Sequence, residues 1–477
     1  MRQIRFLLFA GALMIPCAAT AQEVRVYVTS QAGDRIAAKP PVHFFEGSFT
    51  DSGFHINEKV RDQEIIGFGA SFLESGAISL NSLDAAHQEK VLEALFDPEK
   101  GAGFTAMKAD IAASDEMSAG PFYSYDDHPG DVGMKLFSIQ RDLGLNGTIP
   151  FIKRARRYGQ FMIQATMDYP PDWMLFDVNK NQDVNPKYFD ALALYYLRYL
   201  REYEKQGIFI DYLSLFNEPL IYTKIPANKI RDLLRDHVGP LLAKEGVKTK
   251  IQPCEYNSRE RASKYWPLIL DDPQARKYAS AILYHGYDYK DYDKIAALHK
   301  RYPDLPLWMT EVCHAYEAGT PKTMVLPNRD YADGDFWGTQ IFKDLESGAS
   351  AWIYWNMILD EKGGPWALSP IHGNPDPNVQ HPVVIIDRQK KETTYTGLYY
   401  YLAHFSKFVR PGAVRVGTRG VGAVTGLRCL AFQSKDGGMV AEVMNSRKQP
   451  VDVLLHWNGQ AVSVNLPALS ITTYLWK

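Results

Sequence analysis

Residues 211–219 read DYLSLFNEP and residues 305–312 read LPLWMTEV. Each is an apolar run short enough for a buried strand, and each carries a glutamate at or near its end, Glu218 in the first and Glu311 in the second. Six more strand-like runs occur in the chain: EIIGFG (64–69), FTAMKADI (104–111), FMIQATMDY (161–169), KTKIQPCE (248–255), SAILYHGY (280–287) and ASAWIYWNM (349–357). Helical patterns lie between them. The clearest opens at Asn185-Pro186, a cap followed by the residue that suits the first helical position. It repeats Phe189, Leu192, Ala193, Tyr196, Leu197 and Leu200 along one face and stops at Gly207. A second carries Ile230, Leu233, Leu234, Val238, Leu241 and Leu242 and stops at Gly246. Eight strands alternating with helices are what a (β/α)8 TIM barrel of the α/β class requires. A doubly wound open sheet shows the same alternation, and counting runs does not separate the two.

Both ends of the chain read differently. VRVYVT (24–29) alternates in the manner of a half-buried strand, and from Ala413 onward AVRVGT, LRCLAFQ, MVAEVMN, VDVLLHW, AVSVNL and ITTYLWK follow one another between Gly, Asn and Asp turns. Such spacing predicts an all-β unit. The first 21 residues combine Arg2 and Arg5, an apolar run from Phe6 to Ile15, and Ala19-Thr20-Ala21 before Gln22. That is the pattern of a secretory leader, so a secreted or periplasmic protein is expected. No later stretch is long and apolar enough to span a bilayer, so no stable membrane insertion is expected. Beyond the leader, Cys254, Cys313 and Cys429 are odd in number and predict no disulfide framework. Lys+Arg total 53 against 55 Asp+Glu, a net charge of −2 that supplies no basic surface for a phosphate backbone, so no nucleic-acid partner is expected. The 13% aromatic content suits sugar stacking and a large core equally well.

In a barrel, chemistry gathers at the C-terminal ends of the strands. One glutamate there reads equally well as a helix cap or as half of an ion pair. Two of them, on the fourth and seventh strands, can face each other across the mouth. Glycoside hydrolysis needs such a pair: one carboxylic acid protonates the leaving oxygen while the other carboxylate attacks or activates water. Pro219 is expected to keep the turn at Glu218 extended, and Asn217 offers an amide for a sugar hydroxyl. Gly67-Phe68-Gly69 lacks the third glycine of a dinucleotide loop, and no P-loop, His-Glu-x-x-His or Gly-x-Ser-x-Gly pattern occurs. No cofactor and no metal are expected.

Asn217-Glu218-Pro219 with the glutamate of the seventh strand resembles the clan A retaining glycosidases. The flanking segments narrow the resemblance to glycoside hydrolase family 30, the glucosylceramidase-like family. They are Gly67-Phe68-Gly69-Ala70, Met309-Thr310-Glu311-Val312-Cys313, Trp355-Asn356, Gly363-Gly364-Pro365, the run Tyr400-Tyr401-Leu402-Ala403-His404-Phe405-Ser406-Lys407-Phe408, and Thr473-Tyr474-Leu475-Trp476 at the end. The resemblance runs from about residue 60 to the C-terminus. It implies a barrel with an all-β side domain built from both chain ends, so that after the leader 1–21 the chain divides into N-terminal strands 22–62, barrel 63–409 and C-terminal strands 410–477. It also implies Glu218 as acid/base and Glu311 as nucleophile. Asp115, Asn217, His285, Tyr287, Trp355 and Asn356 match substrate-binding positions, while Trp173 suits a rim platform or core packing equally. Lys108 stands where many members have arginine, Glu74 where aspartate is common, and Asp168 where the glucosylceramidases carry a tryptophan. Asp168 is therefore expected to line the sugar site in a different way. The implied substrate is a β-linked glycoside or glycan, glucose first, with β-1,6-glucan, β-xyloside, β-galactoside and β-fucoside as alternatives. A non-catalytic carbohydrate-binding protein would use the same mouth, but both glutamates are in place.

Overall fold

The computed structural model describes residues 22–47, 52–114, 123–179, 181–221, 223–313, 333–365 and 380–477. The expected leader lies outside them. Eight parallel strand positions close a barrel: Gly67–Phe72, Ala106–Asp110, Met162–Thr166, Tyr212–Ser214, a split fifth strand, Ile282–His285, Leu307–Glu311 and Ala349–Asn356. The fifth strand divides into Lys250–Gln252 and Glu255–Tyr256 around Pro253, which has no N–H to give the ladder. Single bridges, Asn217 to Glu255 and Ile251 to Ala279, carry the pairing across the gap. The eighth strand returns to the first through Ala351–Gly67 and Trp352–Phe68, which excludes the open sheet. A Cβ on Gly69 would lie 2.1 Å from the Ala106 carbonyl oxygen, so the first strand approaches the second as closely as only glycine permits.

The helices form where the apolar spacing placed them. Asn185 caps a 3₁₀ turn (Pro186–Tyr188) by accepting from the Lys187 N–H at 3.2 Å, and the α-helix Phe189–Lys205 follows. Its buried face holds Phe189, Leu192, Ala193, Tyr196, Leu197 and Leu200, packed against the barrel wall. The second expected helix contains a π-helical turn, Leu234–Val238, between α segments Ala227–Leu233 and Gly239–Lys244. Pro240 lacks the N–H that would continue regular α bonding there.

The side domain is one hydrogen-bonded sheet of ten strands contributed by both ends of the chain. Glu23–Ser30 lies between Ala37–His43 and Ser470–Trp476, the last strand, and Gly53–Glu64 lies between Val414–Val421 and Val451–Trp457. The sheet folds over a core of its own that includes Val24, Phe54, Val443, Leu455, Tyr474 and Trp476. The helix Gly397–Phe408 fastens it to the barrel. His404 on that helix is buried, with Nδ1 2.6 Å from Thr473 Oγ1 and Nε2 2.9 Å from Thr29 Oγ1, one threonine from each chain end. Ser406 Oγ donates to the Ala102 carbonyl at 2.6 Å on the barrel side.

Candidate active site

Six of the eight strands place a titratable side chain or a hydrogen-bonding amide at one end of the barrel. The second strand brings Lys108, wholly buried, into the middle of the group. Its Nζ donates to Glu311 Oε2 at 2.7 Å, Glu255 Oε2 at 3.1 Å and Asn217 Oδ1 at 3.2 Å, and lies 5.1 Å from the centre of the Trp355 ring. Glu311, at the end of the seventh strand, also accepts from Tyr287 Oη at 2.8 Å. His285 ends the sixth strand, with Nδ1 2.8 Å from Glu218 Oε1 and 3.5 Å from Glu311 Oε1, and Nε2 3.3 Å from Glu255 Oε2. One carboxylate oxygen of Glu218, one of Glu311 and a ring nitrogen of His285 all lie within 4.8 Å of one another. Such a trio is close enough to hold a metal ion. Both nitrogens of His285 already face carboxylates, however, and the Lys108 ammonium stands among the same oxygens, so the site carries its own counter-charge.

Glu218 does not sit in an extended turn. Its φ is 42°, in the left-handed region, where a non-glycine residue costs about 1–2 kcal/mol. Two backbone bonds hold it: its N–H donates to the Glu255 carbonyl of the fifth strand at 2.8 Å and its carbonyl accepts from the Ile221 N–H at 2.9 Å. Asn217 is anchored by its N–H to the Met167 carbonyl at 2.8 Å. Proline disfavours a right-handed helical turn at Glu218, as expected, but the backbone there is left-handed rather than extended.

Burial raises the pKa of Glu218, against the hydrogen bond from His285, and the neighbouring charge of Glu311 raises it further. Glu255 behaves oppositely. Burial would raise it, but the Lys108 charge and the contact with His285 hold it far below the usual carboxylate range. Burial would discharge Lys108, yet Glu255 and Glu311 keep it a cation, with a contribution from the nearby Asp168. His285 follows the same logic: burial works against its charge, while Glu311 and the hydrogen bonds to Glu218 and Glu255 lift it to about 9.

Of the residues expected from sequence, Glu218, Glu311, Asn217, His285, Tyr287 and Trp355 come together here. Asp168, at the end of the third strand, is buried close enough to act on the Lys108 charge. Asn356 is set back: its amide donates to Gln380 Oε1, which also receives the Cys313 thiol at 3.3 Å. Trp173 packs edge-on against Tyr188 and bonds to the Asp126 carbonyl at 2.9 Å. Glu74 pairs with Arg141 at 3.3 Å. Asp115 lies outside the described residues. Two residues at the centre were not expected there. Lys108 had been noted only as a replacement for arginine, and Glu255 not at all, although it closes KTKIQPCE as a third strand-end glutamate.

The family profile described as the glycosyl hydrolase family 30 TIM-barrel domain matches residues 65–409, and that of the family 30 beta sandwich domain matches residues 412–474. The chain belongs to glycosyl hydrolase family 30. It is thus a glycoside hydrolase by family, and the barrel and the C-terminal strands of the sheet correspond to this family's two domains. Among curated family 30 relatives, "Putative glucosylceramidase 4" of Caenorhabditis elegans is 28% identical over 451 residues, covering 90% of this chain and 83% of that protein. The "Endo-1,6-beta-D-glucanase" of Neurospora crassa is 28% identical over 403 residues, covering 81% and 79%. The crystal structure of SrfJ from Salmonella typhimurium superposes with a TM-score of 0.85 at 22% identity, covering 95% of this chain and 99% of that one. That last likeness confirms the fold.

Proposed function

We propose that this family 30 chain is a retaining β-glycosidase in which Glu311 is the nucleophile and Glu218 the acid/base. The observation that carries this reading is the close pairing of the two glutamates in unlike surroundings. Their nearest oxygens lie within 4.8 Å, which fits the separation of about 5–5.5 Å between carboxyl groups in retaining enzymes rather than the roughly 6.5–9.5 Å of inverting ones. Glu311 receives two donors, Lys108 and Tyr287, that favour negative charge on it. Burial and the neighbouring charge of Glu311 raise the pKa of Glu218, which suits it to the acid role.

The chemistry then follows in two displacements. A Glu311 oxygen attacks the anomeric carbon as the glycosidic C–O bond breaks, and the Glu218 proton passes to the departing oxygen. Ionised Glu218 next takes a proton from water, whose oxygen displaces Glu311 and releases the sugar with its original configuration. Asn217 accepts from Lys108 through Oδ1, which leaves its amide nitrogen as the donor toward a sugar hydroxyl.

The substrate we infer is a β-linked neutral hexose, glucose first. Asp168 adds negative charge near the site, which disfavours a uronic acid and suits hydroxyls as hydrogen-bond partners. The names of the relatives, glucosylceramidase and endo-1,6-β-glucanase, point to glucosides of two kinds. Asp168 in the place of a tryptophan wall favours the glucan over the lipid. The leader-like first 21 residues support export.

Proton NMR during turnover of aryl β-glucoside and β-1,6-glucan oligosaccharides tests the reading. The first-formed product should be the β-anomer, and Glu311→Ala should lose nearly all turnover. An α-anomer formed first, or near-normal turnover by Glu311→Ala, would overturn it.

A further inference from the structure

Glu255 belongs to neither of the two carboxylate roles, yet it is the most deeply enclosed acid of the group. It stands at the end of the fifth strand with no solvent exposure. A single oxygen, Oε2, reaches Lys108 Nζ at 3.1 Å and His285 Nε2 at 3.3 Å. Each of those two side chains reaches on to one of the paired glutamates, Lys108 to Glu311 at 2.7 Å and His285 to Glu218 at 2.8 Å. The backbone carbonyl of Glu255 also accepts the Glu218 N–H at 2.8 Å.

We propose that Glu255 is a positioning residue, whose carboxylate holds His285 as a doubly protonated cation so that the acidic proton of Glu218 is carried on the oxygen facing the substrate. The proposal rests on the glycosidase reading and deepens it.

The argument concerns which atom holds which proton. A neutral His285 that kept its one proton on Nε2, donating it in a hydrogen bond to Glu255, would leave Nδ1 an acceptor. It would then draw the Glu218 proton onto Oε1, away from a leaving group. A cationic His285 donates from both nitrogens. Glu218 Oε1 is then occupied as an acceptor, and the acid proton belongs on Oε2. Glu255 supplies the negative charge that makes the cation affordable in a buried place, against the opposing charge of Lys108. The other charged or titratable groups facing His285 are Glu311, whose negative charge works in the same direction, Glu218, which accepts its hydrogen bond, and Tyr287, which packs edge-on against its ring.

The test compares Glu255→Gln and Glu255→Asp with the unsubstituted protein, normalised to active sites counted by covalent trapping with an activated 2-fluoro β-glycoside. Glu255→Gln should lose about tenfold or more in kcat on a glucoside with a poor leaving group, and about threefold or less on a dinitrophenyl glucoside that needs little protonation. Loss of the Glu255 charge lowers the pKa of His285, which the hydrogen bond to Glu255 helps to raise. The alkaline limb of kcat/KM should therefore move to lower pH by about one unit, and Glu255→Asp, which keeps the charge, should restore its position. A limb unmoved in Glu255→Gln, with equal losses on both leaving groups, would overturn the positioning role while leaving the hydrolase standing. An unsubstituted protein that neither turns over nor is trapped would sink the hydrolase reading and this role with it. Should Glu255→Gln not fold, nitrogen NMR of histidine-labelled unsubstituted protein decides: His285 should show two protonated ring nitrogens at pH 7, and a neutral His285 would overturn the proposal.

Discussion

Replacing Lys108 with methionine keeps most of the side-chain volume and removes a cation shared by two buried carboxylates. The consequence can be worked from the distances. Nζ lies 2.7 Å from Glu311 and 3.1 Å from Glu255, with no solvent exposure. At an effective dielectric of about 20, each contact is worth roughly 5 kcal/mol of attraction. Much of that is offset by the cost of stripping water from the ammonium. Removing one partner and leaving carboxylates uncompensated should therefore cost about 3–5 kcal/mol of stability. The pH window follows from the two shifts. The contribution of Glu255, whose pKa is depressed, is present above its ordinary value of 4.5 and is lost as pH falls through the folded value. The contribution of Lys108, whose pKa is raised, is present below 10.5 and is lost as pH rises past the folded value. At pH 7 both are present in full. Urea unfolding followed by tryptophan fluorescence at that pH should show the Lys108→Met midpoint lower by about 1–2 M, at a slope near 3 kcal/mol/M. The gap should narrow below pH 4.5, where Glu255 in the variant takes up a proton. A midpoint within about 0.3 M of the unsubstituted protein at pH 7 would refute the reasoning, since it would mean the two carboxylates tolerate each other without the cation.

Two further outcomes are expected. Glu218→Ala should keep substantial activity on a dinitrophenyl glucoside and lose about 10²-fold or more on a poor leaving group. Added azide should restore the rate by taking the sugar from Glu311 as a β-azide, detectable by mass spectrometry; no rescue would argue against Glu218 as the acid/base. In the side domain, Glu442 is wholly buried, accepts from Thr473 Oγ1 at 2.7 Å, and is pushed well above the ordinary carboxylate range by that burial. A raised carboxyl pKa gives stability that is full below pH 4.5 and is lost as pH rises. Glu442→Gln should accordingly gain about 1 kcal/mol or more at pH 8 and nothing near pH 4, and equal urea midpoints at pH 8 would contradict the burial argument.

The barrel was legible because its strands are apolar runs of buried residues, and because the helix Phe189–Lys205 keeps a regular spacing between a cap and a glycine. Glu218 and Glu311 were legible because a charge that interrupts such a run has few structural uses. Closure into a barrel was not legible from residues alone, since it depends on the eighth strand pairing with the first. The split of the fifth strand was hidden for a related reason: Pro253 is visible in KTKIQPCE, but the backbone accommodation at Glu218 across from it involves residues remote in sequence. The same split concealed Glu255, whose role depends on Lys108 and His285 arriving from the second and sixth strands. The departure at Lys108 was visible in sequence, while its three partners were visible only in space.

The pairing of the first strand with the last has a consequence for how this chain is made. Arg25 lies opposite Leu475, and the Gln22 side chain bonds to the Lys477 carbonyl, so the earliest strands must wait for the final ones before their edges are covered. During synthesis, VRVYVT leaves the ribosome with Ala37–His43 close behind to cover one edge but with the partner of its other edge still hundreds of residues away, while the whole barrel is completed in between. The nascent chain thus carries an open β edge for most of its elongation, the state in which intermolecular pairing is hardest to avoid. Gln22 and Lys477, which lie side by side, could be joined directly by a short linker and the chain reopened at a surface loop. Such a circular permutant would bring the two halves of the sheet out together, and its yield on refolding, set against that of the parent, would measure how much the delay costs.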